Sequence, residues 1–181
     1  MKLLKPCLTL LSIVLVGTLA GCSTTPTKAP DVSAGIRQSL DSANLKDVSV
    51  SQDRDKGVVT LGGHVPADAD KAQAESIAKS MAGPQVVANE IAVIPPGLES
   101  DAKKINSDLD KAIEKNLDAA LIQQGLKGVK YDVKNGVVTL SGEVRSQGDR
   151  SRTQTVASTV PNVQQVVNEL QVKNQKASST N

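Results

Sequence analysis

Apolar and polar residues alternate along Gly57-Val58-Val59-Thr60-Leu61-Gly62-Gly63-His64-Val65. On a strand, Val59, Leu61, Gly63 and Val65 share one side, and Val58, Thr60, Gly62 and His64 the other. The pattern returns 79 positions later as Gly136-Val137-Val138-Thr139-Leu140-Ser141-Gly142-Glu143-Val144. A second pair of segments, Val87-Ala88-Asn89-Glu90-Ile91-Ala92-Val93 and Val166-Val167-Asn168-Glu169-Leu170-Gln171-Val172, follows at the same offset without insertion. Spacing held over that distance marks a duplicated supersecondary unit. The apolar parity is common to both copies, while Gly62 becomes Ser141 and His64 becomes Glu143. The pattern therefore predicts one covered sheet face and one that faces water.

Around these strands the periodicity changes. Val32, Ile36 and Leu40 recur every four residues behind Asp31, an N-cap candidate, and predict a short helix. Val48 and Val50 begin a strand, and Asp53-Arg54-Asp55-Lys56-Gly57 forms its polar turn. Pro66 opens a second helix with Asp68 and Asp70 near its positive end and a stripe of Ala74, Ile77, Ala78 and Met81. Gly83-Pro84 ends it, and Val86 to Val93 is a third strand. The second unit repeats this order: a helix to about Gln123, strand 129–133, a turn, strand 136–144, helix 147–159 and strand 166–172. Its turn is Asn135-Gly136, a type I′ signal.

The amino terminus has a different character. Lys2 and Lys5 precede a mostly apolar run from Leu8 to Ala20, too short to span a bilayer, which ends in Leu19-Ala20-Gly21-Cys22. That tetrapeptide resembles the lipobox of bacterial lipoproteins and implies removal of residues 1–21 and diacylation of Cys22. Cys7 would leave with the signal and Cys22 would become a thioether, so no disulfide or thiolate metal site is expected. Ser23 after the cysteine resembles the outer-membrane class of Gram-negative lipoproteins, facing the periplasm. Residues 22–30 then read as a flexible tether, 31–94 as the first domain, 95–104 as a linker with Pro95-Pro96-Gly97, 105–173 as the second domain and 174–181 as a disordered tail.

Composition removes function classes. One Tyr and no Phe or Trp leave no stacking platform for single-stranded nucleic acid or sugar. A formal charge of +2, which includes Lys2 and Lys5, provides no basic field for a duplex. No small-molecule substrate, cofactor or metal is indicated. His64, the only histidine, has Glu143 at the matching position and no nucleophile elbow near it. The Asp53 loop lacks the oxygen ligands of a calcium site, and Gly62-Gly63 lacks the helix and Lys of a phosphate loop. Gly63 and Gly142 share the inward parity, which suggests close packing of a helix on the strand. Asn89 and Asn168 lie on the core parity and are expected to satisfy local backbone.

The paired Gly-Val-Val-Thr-Leu-x-Gly-x-Val and Val-x-Asn-x-(Ile/Leu)-x-Val blocks, in the order helix, strand, strand, helix, strand, resemble the BON family over both halves of the chain. The resemblance implies an α+β fold of two tandem domains, each αββαβ with a small mixed three-stranded sheet packed on two helices. Behind a lipobox the pair is similar to dual-BON outer-membrane lipoproteins. This implies a non-enzymatic envelope protein that binds phospholipid surfaces and supports envelope integrity or stress tolerance. The alternative is a periplasmic adaptor or chaperone-like module meeting envelope proteins through sheet edges.

One helix exceeds its counterpart. Aligning Ile36 with Leu117 and Leu40 with Leu121 leaves Ile105 and Leu109 upstream, beside Lys103, Lys104, Lys111 and Lys115. A four-residue step drifts about 40° on a helix, so Ile105 lies about 160° from Leu121 and leaves the core face. Either Ile105 and Leu109 pack on the first domain, or with Lys104, Lys111 and Lys115 they form an apolar tip for an anionic lipid surface. Charge favours the second unit for that contact. Residues 31–94 carry 9 acidic and 6 basic side chains, and residues 105–175 carry 8 and 9.

Overall fold

The computed structural model describes residues 28–173. The signal segment 1–21, Cys22, most of the expected tether and the 174–181 tail lie outside the described residues.

The first module is α1 (Ser33–Ser42), β1 (Val48–Asp53), β2 (Val58–Val65), α2 (Asp68–Ala82), β3 (Val86–Asn89) and β4 (Ala92–Val93). The second is α3 (Glu99–Gln123), β5 (Val129–Lys134), β6 (Val137–Val144), α4 (Gln147–Ser158), β7 (Gln165–Asn168) and β8 (Gln171–Val172). In each, the signature strand is central. β2 is antiparallel to β1 and parallel to β3 and β4, and β6 stands likewise to β5, β7 and β8. The helices cover the predicted parity: Val59, Leu61 and Val65 pack with Ile36, Leu40, Ala74 and Ala78, and Val138, Leu140 and Val144 with Ile113, Leu117, Leu121 and Ala157. Of the stripe expected on α2, Ala74 and Ala78 are buried, whereas Met81 is exposed and Ala82 takes its place.

Several boundaries move for local reasons. α1 begins one residue after Val32, with the Asp31 carboxylate accepting from the Ser33 N–H at 3.1 Å. Residues 28–30 of the expected tether run beside β1. The Ala29 N–H bonds the Arg54 carbonyl at 2.9 Å, and Gln52 Nε2 donates to the Pro30 carbonyl at 2.7 Å. α3 starts at Glu99, inside the expected 95–104 linker, because Glu99 Oε1 accepts from the Gly97 N–H at 2.9 Å and acids favour a first helical turn. The Asn135-Gly136 turn has φ of 48° and 79°, as type I′ requires.

The third strand of each module is broken, and the break explains two signature residues together. Gly63 adopts φ +88°, and a Cβ there would lie 2.0 Å from the Asp47 carbonyl oxygen; at Gly142, φ is +103° and the oxygen is that of Gly128. The glycines are thus set by the backbone entering β1 and β5 and by a left-handed conformation, not by a helix packed on the strand. Continuing the β2–β3 register, Leu61 opposite Asn89, places Gly63 opposite Ile91, where the ladder lapses between β3 and β4. The freed Ile91 N–H donates to Asn89 Oδ1 at 3.4 Å, and in the second module the Leu170 N–H donates to Asn168 Oδ1 at 3.2 Å. Each Asn also donates through Nδ2 to the preceding helix: Asn89 to Lys71 O and Glu75 Oε2, Asn168 to Arg150 O and Gln154 Oε1. Both are structural, as their parity suggested.

The expectation that the second sheet face is open to water needs correction. Val58 and Ala88 are buried against Val137 and Val167, their counterparts 79 positions on, in an apolar cluster separate from both module cores. The helix-free faces therefore meet over part of their area. The contact is self-complementary, as in an isologous dimer made within one chain.

Candidate functional site

Ion pairs and amides surround the small apolar contact between the modules. Lys56 Nζ reaches Glu169 Oε2 at 2.7 Å, and Lys134 Nζ, at the end of β5, reaches Glu90 Oε2 at 3.4 Å, so each hairpin sends a lysine to the equivalent glutamate of the other module. The hydrogen bond from Lys56 to Glu169 raises the lysine's pKa, and Glu169 is only 10% exposed at its side chain. Asp53, in the turn read from the sequence as lacking the ligands of a calcium site, accepts from the Asp55 and Lys56 N–H groups; the Lys56 bond above all lowers its pKa. The loop is a structural turn that aims Lys56, a role invisible locally because its partner lies 113 residues away.

This junction anchors the extension of α3. Asp110 accepts from the Asn135 and Gly136 N–H groups at 2.8 and 2.9 Å, and Asn135 Nδ2 donates to the Glu90 carbonyl at 2.8 Å. The helix is thus tied to the second module's turn, and the turn to the first module. Sequence reasoning missed Asp110, although its signal was present: a type I′ turn leaves backbone donors for a nearby carboxylate.

Beyond that anchor the buried stripe of Ile113, Leu117 and Leu121 gives way to exposed residues. Ile105 is 58% exposed and Leu109 41%, with Leu98 also exposed at the amino end. Lys103, Lys104, Lys111 and Lys115 are exposed around them, and Lys111 makes a 3.8 Å pair with Asp108. The first module does not cover Ile105. Leu109 edges a 460 Å³ cleft between the modules, shared with Ile91, Ile113, Lys71 and Gln164. Lys71 Nζ donates to Gln164 Oε1 at 3.2 Å there, and burial lowers its pKa below the usual lysine range.

His64 is exposed beside a second cleft with Lys103, Lys111 and Glu114. Among the described residues no three His, Cys, Asp or Glu side chains are grouped to hold a metal. Among the same residues no helix is long and apolar enough to cross a membrane.

Comparison with known proteins agrees with this architecture. The BON domain description matches residues 29–95 and 105–174. The chain is 31% identical over 146 residues to osmotically-inducible protein Y of Escherichia coli (strain K12), covering 78% of this chain and 71% of that protein. Two solved structures of CdsD, a structural protein of the type III secretion system of Chlamydia trachomatis, align with TM-scores of 0.31 and 0.30 at 15% identity. These alignments cover 77% and 76% of this chain and 66% and 61% of those chains, so it spans slightly under two thirds of their lengths. With one match in each module and an identity that runs through both, the chain belongs to the BON domain family.

Proposed function

We propose that the protein is a non-enzymatic lipoprotein of the bacterial outer membrane, held at Cys22 by its acyl chains and facing the periplasm. The BON pair touches phospholipid surfaces and supports envelope integrity under stress. The observation that carries this reading is the exposure of Ile105 (58%) and Leu109 (41%) on a helix braced by Asp110, with Lys104, Lys111 and Lys115 exposed nearby. A rigid apolar ridge enters the acyl boundary without an ordering penalty, while lysine stems leave their ammonium groups among anionic headgroups. Tethering supports the reading further, because it makes a weak second contact effective by raising local concentration. The stress role draws on the resemblance to a protein named for osmotic induction.

The test is flotation of residues 23–181, without acyl groups, with vesicles containing or lacking anionic lipid. Binding to anionic vesicles that is lost in Ile105→Asp/Leu109→Asp and weakened by added salt is expected. Equal binding to neutral and anionic vesicles, or no binding to either, refutes the lipid contact.

A further inference from the structure

The two modules use equivalent strand edges differently. In a parallel ladder alternate residues direct both backbone groups at the neighbouring strand, and those between direct both outward. Val86 and Glu90 donate to Gly57 and Leu61 of the first module, so Val87 and Asn89 face outward from β3. The second module reaches those groups. Gln165 Nε2 donates to the Val87 carbonyl at 2.6 Å, and the Asn89 N–H donates to Gln165 Oε1 at 3.1 Å. One primary carboxamide thus supplies the donor and acceptor that an added strand would bring.

The same edge of β7 has no such occupant. Gln165 and Glu169 donate to Gly136 and Leu140, which turns Val166 and Asn168 outward. The residue equivalent to Gln165 in the first module is Val86, which has no polar group and is 47% exposed. Among the described residues, the Val166 carbonyl and the Asn168 N–H have no hydrogen-bond partner, while Arg150 donates to the Asn168 carbonyl and, through Nε, to that of Leu170. A 420 Å³ groove runs beside this edge, lined by Ser151, Gln154, Thr155, Ser158, Gln164 and Val166. The corresponding groove beside β3 carries Lys71, Glu75 and Lys79, with Lys79 paired to Glu75. The open groove has hydroxyls and amides at the positions of that charged pair.

We propose that the β7 edge and its groove are a docking site for an extended, uncharged polar peptide segment of a partner protein, one that presents a Gln or Asn carboxamide to Val166 O and Asn168 N. Gln165 of β7, whose carboxamide docks against the β3 edge, is the template for this occupant. Backbone bonds to Val166 and to the Asn168 N–H supply affinity, and the groove's hydroxyls and amides leave a charged side chain without a partner, while Arg150, the nearest cation, is committed to the Asn168 and Leu170 carbonyls. The inference rests on the fold and not on lipid contact, so the vesicle experiment and this one fail independently.

The test is a titration of the ¹⁵N-labelled full chain with a capped peptide of sequence Val-Gln-Gln-Val-Val-Asn, the chain's own residues 163–168. The expected result is amide shifts centred on Val166 and Asn168, with slowed hydrogen exchange at the Asn168 N–H. Replacing the peptide's second Gln with Ala removes both the donor and the acceptor of its carboxamide and is expected to weaken binding roughly twenty-five-fold, the factor for two lost hydrogen bonds. Shifts confined to other surfaces, no shifts at millimolar peptide, or an Asn168 N–H already protected in the free chain would each overturn the proposal.

Discussion

Asn89→Ala and Asn168→Ala change the same repeat position and should differ in effect. Asn89 is 3% exposed, and the N–H that it satisfies belongs to the fully buried Ile91. Truncation leaves that donor without its partner where water cannot replace it, a penalty of about 1–3 kcal/mol. Loss of the 2.9 Å bond to Glu75 adds less, about 0.5–1 kcal/mol, because Glu75 keeps Lys79 and is partly solvated. The longer bonds of this set, at 3.4 Å, place the expected total at about 2–3 kcal/mol. Asn168→Ala also orphans the N–H of Leu170, but Asn168 is only half-buried and its Gln154 partner is exposed, so water takes over part of what is lost and about 1–1.5 kcal/mol is expected.

Urea unfolding followed by far-UV circular dichroism reads both modules, and Tyr131 fluorescence reads the second, where Tyr131 packs on the core. With a slope of about 1–3 kcal/mol per molar, Asn89→Ala should lower the dichroism midpoint by roughly 1 M or more, and Asn168→Ala by about half as much. The acid limb adds a signed check. The Glu75 pKa is held below the usual glutamate value, first through its bond with Lys79 and then through Asn89. A depressed folded-state value contributes stability above the unfolded pKa that is lost as pH falls through the folded one. Removing Asn89 shrinks the depression, so the gap between wild type and Asn89→Ala should narrow on acidification below about pH 4. An Asn168→Ala loss equal to or greater than that of Asn89→Ala would refute the account of the broken strand, as would an unchanged Asn89→Ala midpoint.

Two further outcomes follow from the same geometry. Gly63→Ala and Gly142→Ala each force a Cβ into backbone oxygen at positive φ, so each should lose about 2–4 kcal/mol by thermal unfolding; near-wild-type melting of either refutes the strain argument. Lys56→Met leaves the Glu169 carboxylate without its cation between the modules and should lose about 1–2 kcal/mol once solvent screening of the lysine is allowed for. Adding Glu169→Gln should recover most of that loss in a double-mutant cycle, and strictly additive losses would show that the pair is uncoupled.

The duplication, the order of elements, the helix-facing parity and the Asn135-Gly136 turn were legible because each is written in residues close in sequence. Val48 and Val50, or Leu117 and Leu121, need only local periodicity to declare their faces. The joint role of Gly63 and Asn89 was half legible. Their recurrence at 142 and 168 marked both as structural, but which backbone oxygen excludes a Cβ at Gly63 depends on how Asp47 enters β1. The module contact was harder, since strand alternation states that Val58 and Val137 leave the core and says nothing of what they meet. A signal was nevertheless present: Val58, Ala88, Val137 and Val167 put apolar side chains on the face otherwise expected to be wet, at matching places in both copies.

That coincidence shows what duplication does to a surface. In two identical modules every contact across a twofold axis would occur twice, and a substitution in the ancestral unit would alter both. Once the copies are joined in one chain, each half can change alone, as Gln165 and Val86 have done: one fills the opposing edge and the other leaves it vacant. The ion pairs tolerate the same drift, because Lys56 and Lys134 reach equivalent glutamates from hairpins whose turns differ in length. A strand edge left unpaired on one side of a near-symmetric contact is thus a difference that symmetry does not require. Its exposure beside a groove lined by hydroxyls and amides is the reason to look for a partner there before looking at the edge already closed.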